Sequence, residues 1–238
     1  MSLETIDFRY IPLEPTDRVL DLGCGEGRHT ISAGLQGAGH CIGLDLSQAD
    51  LMTARHRAKE FTFEDTRTQL DFTVASGLNL PFRDATFDKV ICSEVLEHVP
   101  DYQAVLREIY RVLKPGGLFA VSVPRFVPEW MCWQLSHEYH EVEGGHIRIF
   151  RTRQLRHAIE SLSMHYLARH WAHSLHVPYW WLKCLFWSET NERAPVRLYH
   201  RFLIWDLMQQ PRLTYWLDRL LNPIMGKSLV MYFQRESQ

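Results

Sequence analysis

A chain of 238 residues with 46% hydrophobic residues and a net charge of −2 is long enough for one sizeable α/β domain with an elaboration. Its Lys and Arg residues form no basic stripe of the kind that tracks a nucleic-acid backbone, so nucleic acid is set aside as a partner. Five cysteines (Cys24, Cys41, Cys92, Cys132, Cys184) without a C-x-x-C pair point to reduced thiols and a cytoplasmic setting; the Met-Ser-Leu-Glu-Thr start and the lack of any run of about 18 uncharged apolar residues predict neither a signal peptide nor a membrane span.

In chain order, the apolar runs predict strands near 18–22, 40–45, 71–75, 87–93 and 117–123, alternating with helices near 28–37, 47–62 and 101–113. Short apolar strands alternating with helices imply a parallel sheet covered on both faces. Asp101 is the expected N-cap of the third helix, and Pro115-Gly116-Gly117 its stop. After Pro124 the rhythm changes: a helix near 152–163 with Leu155, Ile159 and Leu162, a strand-like Tyr166–His173, and a last strand over Ser228–Phe233. Between these last strands lie about 50 residues, far more than a hairpin loop. Helical spacing recurs there in Val196, Tyr199, Phe202 and Leu203 and in Leu213, Trp216, Leu217 and Leu220. One domain over 1–238 is expected, with a core of about 15–175 and 225–235 and an insert of about 176–225.

The first strand runs straight into Gly23-Cys24-Gly25-Glu26-Gly27, a strand-to-helix turn on which a ligand can lie against backbone. Asp21 precedes the glycines, where a carboxylate repels a pyrophosphate and pairs with an ammonium group. Asp45, about 20 residues on, ends the second strand where an acid accepts hydrogen bonds from ribose hydroxyls. A ligand with a ribose and a cationic amino-acid tail suits this pair better than a dinucleotide.

Taken together, Asp21–Gly27, Gly43-Leu44-Asp45, Leu80-Pro81-Phe82, Phe87-Asp88, Val95-Leu96-Glu97-His98-Val99 and Leu113-Lys114-Pro115-Gly116-Gly117 resemble, in order, the class I S-adenosylmethionine-dependent methyltransferases. The branch resembled includes the ubiquinone and menaquinone C-methyltransferases. The match covers roughly residues 17–124. It implies a Rossmann-like α/β sheet with helices on both faces, a closing antiparallel hairpin, here interrupted by the aromatic-rich helical insert, and S-adenosyl-L-methionine as cofactor. Asp21 would pair with its ammonium group, Gly23, Cys24 and Gly25 would line it, Asp45 would hold the ribose, and Leu46 and Gly77 would border the adenine. Ser76 stands where such families often carry an acid for the adenine amino group. Ser93 and Glu94 would lie near the methionine portion.

All eight Trp residues follow position 129 and nine of the thirteen His follow position 130, so the back half is expected to choose the substrate. The bland alternative is that these aromatics form a small core or a dimer face. Methyl transfer is an in-line displacement, and an alcohol acceptor benefits from a base. The segment Ser136–Arg148 is the richest source: His140 and His146 are the leading bases and His137 the third, with Glu138 or Glu141 as orienters and Arg148 to hold an anionic group. His137-x-x-His140 with His146 also has metal-ligand character, but no recognised spacing, and no metal is assigned. Cys24 has no adjacent base and is not read as a nucleophile. His98 is assigned either a place near the substrate or a hydrogen-bonded one at a helix edge. The apolar His176–Trp187, followed by Arg193, Arg197 and Arg201, is read as a lid that receives a greasy substrate or as a peripheral membrane contact, on the inner membrane face.

These readings favour O-methylation of a hydrophobic, amphipathic or glycosylated small molecule. The rivals are C-methylation of a quinone-like or lipid-like ring, and a cofactor-binding module without chemistry.

Overall fold

The computed structural model describes residues 4–63, 68–142, 144–187 and 193–237. Its seven strands are β1 (Arg18–Leu22), β2 (His40–Asp45), β3 (Gln69–Val74), β4 (Phe87–Ser93), β5 (Leu113–Pro124), β6 (Met164–Ala172) and β7 (Ser228–Arg235). They form one sheet in the order β3-β2-β1-β4-β5-β7-β6. β7 lies between β5 and β6 and runs antiparallel to both, and the remaining pairs are parallel. The doubly covered α/β sheet inferred from the pattern is observed, and the last two strands form the interrupted antiparallel pair that the resemblance implies, which makes the sheet mixed rather than wholly parallel.

Alternation along the strands loads both faces. Leu20, Leu22, Val90, Cys92 and Val121 join Phe119 and Phe233 in one core with α3 (Tyr102–Val112) and α6 (Thr152–Glu160). Val19, Ile91, Ala120, Val230 and Tyr232 face the other way, against Ala33 of α1 (Arg28–Leu35) and Ile6, Phe8 and Ile11 of the N-terminal segment. That segment is fastened to α1 by His29, whose Nε2 accepts the N–H groups of Thr5 and Ile6. Asp101 caps α3 as expected, its Oδ1 accepting from Ala104 N–H at 2.9 Å.

Four differences from the sequence reading concern boundaries and the back half. α2 (Gln48–Ala58) ends earlier than 62, and β5 begins at Leu113, so Pro115-Gly116-Gly117 falls within the strand's irregular start rather than before it. Residues after Pro124, where the pattern predicts no element before 152, form α4 (Phe126–Leu135) and the single turn α5 (Glu138–Glu141). α4 carries apolar residues on every side, so it shows no stripe of period 3.6. The insert contains a 3₁₀ turn over Ser174–His176 and three helices, α7 (Val177–Leu185), α8 (Ala194–Gln209) and α9 (Arg212–Met225). α7 packs on α4, so the two elaborations that leave the carboxyl ends of β5 and β6 meet over that edge of the sheet. Cys132, Tyr139 and Cys184 are buried there among Trp133, Trp180 and Trp181.

Candidate active site

The chain leaves β1 toward β2 on one side and enters β4 on the other, so the sheet's topological switch lies between the carboxyl ends of β1 and β4. Asp21 is next to last in β1, paired in register with Gly43 and Ile91. Its carboxyl is buried, with Oδ2 accepting from Thr30 Oγ1 at 2.7 Å and Oδ1 without a partner. Burial pushes its pKa up to about 6, against the lowering effect of the Thr30 hydrogen bonds. An unpartnered buried carboxylate oxygen is costly unless a cation completes it, as an ammonium group does.

The glycine turn divides its work. A Cβ on Gly23 would meet Val95 Cγ2 at 2.2 Å, and Gly23 and Cys24 both donate backbone N–H to Leu44 O, so this part of the turn is closed by protein packing. Gly25, at φ +50°, faces open space: nothing lies within 4 Å of where its Cβ would be. Its N–H donates to Asp45 Oδ2 at 2.8 Å, while Ser47 N–H donates to Oδ1 at 2.9 Å. Two backbone donors thus fix the Asp45 carboxylate and leave lone pairs for two hydroxyls. Ser76 and Gly77 follow β3 beside it, and Leu46 is largely exposed at the rim. The Ser76 hydroxyl accepts from Leu78 N–H at 3.2 Å, which leaves its own O–H to donate. Burial, reinforced by Asp21 and Asp45, keeps the Cys24 thiol protonated. An unpartnered carboxylate oxygen at Asp21, an open cradle at Gly25 and a preset diol acceptor at Asp45 fit an amino-acid nucleoside.

β4 delivers the second half of the crevice. Ser93 Oγ lies 2.9 Å from Ser122 Oγ, which donates to Glu94 Oε1 at 2.8 Å. Glu94 adopts φ +56°, a left-handed conformation rare for a side chain of its kind and concentrated at functional turns. Glu97 is fully buried and neither of its carboxyl oxygens has a hydrogen-bond partner. Burial, then the nearby Glu94, raises its pKa well above the ordinary range. Burial, with smaller contributions from the charges of Glu97 and Asp21, raises the pKa of the Cys92 thiol near the end of β4.

Glu129 of α4, also buried, is the hub of the acceptor side. It accepts from His146 Nδ1 at 2.6 Å, from Trp133 Nε1 at 3.1 Å and from Tyr139 OH at 3.3 Å. The His146 ring stands edge-on to His98 at 4.9 Å between centroids, and His98 Nδ1 faces Gly145 O at 3.3 Å. Burial, then His146, lowers the His98 pKa. Lys227 Nζ closes the cluster, 3.9 Å from Glu94 Oε2 and over the Trp180 ring.

The Ser136–Arg148 candidates are therefore dispersed. His146 enters the crevice. His140 stacks on Trp133 at 4.4 Å with a buried, unpartnered Nδ1. His137 projects into solvent and pairs with Glu141 at 3.1 Å. Neither Glu138, bonded to Ser136 Oγ, nor Glu141 orients His146; Glu129 does. Glu143 lies outside the described residues. Arg148, expected to hold an anion, points its guanidinium at the carbonyls of Leu96, Val99 and Pro100 and stacks near Tyr102, so it braces the 96–100 turn instead. His137, His140 and His146 do not converge as metal ligands would; among the described residues, ligand atoms of Glu97, His98 and His146 approach within 4.8 Å of one another. Glu129 escaped notice because a lone acid in an apolar stretch reads as a solvent-facing residue; its surroundings, Val127-Pro128 and Trp130 to Trp133, are the signal that it is buried.

Comparison with known proteins agrees with this geometry. Residues 20–121 match a family model described as a methyltransferase domain. The chain is 35% identical over 133 residues to a sterol 24-C-methyltransferase of Eremothecium gossypii, covering 56% of this chain and 32% of that protein. It is 36% identical over 118 residues to the 27-O-demethylrifamycin SV methyltransferase of Amycolatopsis mediterranei, covering 50% and 42% respectively. The chain thus spans less than half the length of these curated relatives. A solved S-adenosylmethionine-dependent methyltransferase from Methanosarcina mazei superposes over 99% of this chain and 100% of its own with a TM-score of 0.65 at 16% identity, a likeness of fold. Over residues 20–121, somewhat less than half of its length, the chain is thus similar to a methyltransferase domain.

Proposed function

We propose that the protein methylates an oxygen of a hydrophobic or amphipathic small molecule, working as one unit with its core at about 15–175 and 225–235 and its insert at about 176–225. S-adenosylmethionine supplies the activated methyl group. Asp21 binds its ammonium group, Gly25 lines it with Gly23 and Cys24 holding the turn behind, Asp45 takes the ribose hydroxyls, Leu46, Ser76 and Gly77 border the adenine, and Ser93 and Glu94 flank the methionine portion.

The observation that carries the O-acceptor reading is the Glu129–His146 pair. A carboxylate on Nδ1 selects the Nδ1–H tautomer and leaves the lone pair on Nε2, the arrangement of an oriented general base. His146 Nε2 takes the proton from the acceptor hydroxyl, and Glu129 stabilises the imidazolium that forms. His98 and the protonated Glu97 border the same space, and Arg148 keeps the 96–100 turn in place. The packed Trp133, Trp180 and Trp181 exclude water, which otherwise competes for the methyl group. His140 and His137 have supporting and surface roles in this reading.

A second reading, methylation of a ring or double-bond carbon, is favoured by those same aromatic faces, since π-systems stabilise the cation that such an acceptor forms. The sterol relative's name fits this reading and the rifamycin relative's name fits the first.

The test is a screen of lipid, quinone and glycan extracts with methyl-labelled donor, the product identified by mass spectrometry, followed by turnover of Glu129→Gln and His146→Gln. An oxygen acceptor predicts a loss of about 10²-fold or more in kcat with cofactor affinity unchanged. Label on carbon with little effect of either substitution would establish the second reading, and no transfer to any fraction by protein that binds the cofactor would refute both.

A further inference from the structure

The stripe Leu213, Trp216, Leu217, Leu220 and Ile224 has the spacing of a core-facing helix, yet it points to solvent: Leu213 is 79% exposed, Trp216 62%, Leu220 72% and Ile224 73%. The inward face of α9 is the polar one. Asp218 Oδ1 accepts from Ser174 Oγ at 2.8 Å and Leu175 N–H at 3.1 Å, and Asn222 Oδ1 accepts from Ser174 N–H at 2.9 Å. Arg125 caps the last turn through the carbonyls of Asn222 and Pro223. These bonds fix the helix's rotation, so its apolar face cannot turn inward without leaving buried polar groups unpaired. α8, whose Leu203 shares a small core with Leu175 and with Leu221 of α9, adds exposed Leu198, Trp205 and Met208.

Charge selects the occupant. Between 193 and 225 the only acids are Asp206 and Asp218, both buried, while Arg193, Arg197, Arg201, Arg212 and Arg219 are all exposed. A two-fold contact between copies would bring this arginine-rimmed face against itself. An anionic surface complements it, and exposed Trp and Tyr between apolar side chains and arginines suit the boundary between headgroups and acyl chains. Among the described residues no helix is long and apolar enough to cross a membrane. We infer that the outward face of α9, flanked by α8, docks the protein on the surface of an anionic lipid leaflet, with α9 lying in the interface plane. The expected contact at His176–Trp187 is thereby relocated, because Trp180 and Trp181 pack inward on α4, with Trp181 Nε1 donating to Pro128 O at 3.2 Å.

The inference stands apart from the acceptor's identity and is tested without one. The protein is floated with vesicles of phosphatidylcholine, with and without phosphatidylglycerol, alongside Leu213→Glu/Leu220→Glu and a surface control, Arg107→Glu on α3. Binding to the anionic vesicles, weakened at least tenfold by high salt and by the α9 pair but not by the control, is the expected result. Calorimetry with S-adenosylhomocysteine checks that the pair variant keeps its fold. No binding to anionic vesicles, equal binding by the pair variant, or a solution dimer that the pair variant dissociates would overturn the proposal.

Discussion

The proposed donor end of the crevice comes from residues 21–25 and 45–47 and is held largely by backbone groups, whereas the proposed acceptor end gathers Glu94, Glu97, Glu129, His146 and Lys227 from distant stretches and is held by side chains. The first arrangement is written locally: a turn with Gly25 at positive φ and two N–H groups on Asp45 need only the right short sequence. The second exists once α4 and the 137–148 segment have packed over the sheet. A site of the first kind tolerates variation elsewhere in the chain, and one of the second kind can change its acceptor by exchanging a few contacts.

The sharpest break in that comparison is Asp21→Asn. It keeps an acceptor for Thr30 but removes the charge facing the ammonium group, so affinity for S-adenosylmethionine should fall by roughly 30-fold in calorimetry, while the fold is retained. The wild-type affinity should itself depend on pH. With a folded pKa raised to about 6, the Asp21 carboxyl contributes stability to the free protein that is complete below its unfolded value of 3.8 and lost as pH rises through about 6. The cationic ligand needs the ionised form, so binding should tighten about tenfold from pH 5 to 7, and Asn at this position should flatten the curve. A pH-independent affinity would separate Asp21 from the ligand.

A smaller effect probes what stands behind the donor end. Burial pushes the His29 pKa down to about 3, so its contribution to stability is full above the unfolded value near 6.5 and is lost as pH falls toward 3. Denaturant unfolding should show this group costing about 1.4 kcal/mol per pH unit below 6.5, and His29→Gln should reduce that slope. At the acceptor end, His137→Ala should leave turnover within about twofold, since its exposed pair with Glu141 is worth little. A large loss would mean that the 137–148 segment closes further over the acceptor.

Chain order explains how much was legible. β1, β2 and β4 match their predicted limits because short apolar runs ended by glycine or polar residues admit one reading. Asp21 and Asp45 stand out in the sequence because acids at the ends of apolar strand runs are conspicuous, and the structure places both at the carboxyl ends of their strands. His146 was named but not separated from His137 and His140, since three His residues in ten positions look alike until packing orients them. Glu129, the residue that orients His146, hid in α4, whose all-round apolar composition has no period. α9 is the subtler case: the spacing of Leu213, Trp216, Leu217 and Leu220 was read, but periodicity is blind to whether a stripe faces the core or the solvent.

The pairing of Ala172 with Ser228 has a wider consequence. The excursion through the 3₁₀ turn, α7, α8 and α9 departs and returns at a single rung of that ladder, so its closure is secured by the sheet rather than by its own length. Evolution can therefore lengthen, shorten or exchange this module with little penalty to the framework, and a graft of another protein's excursion between these two paired residues is the natural route to re-addressing the scaffold.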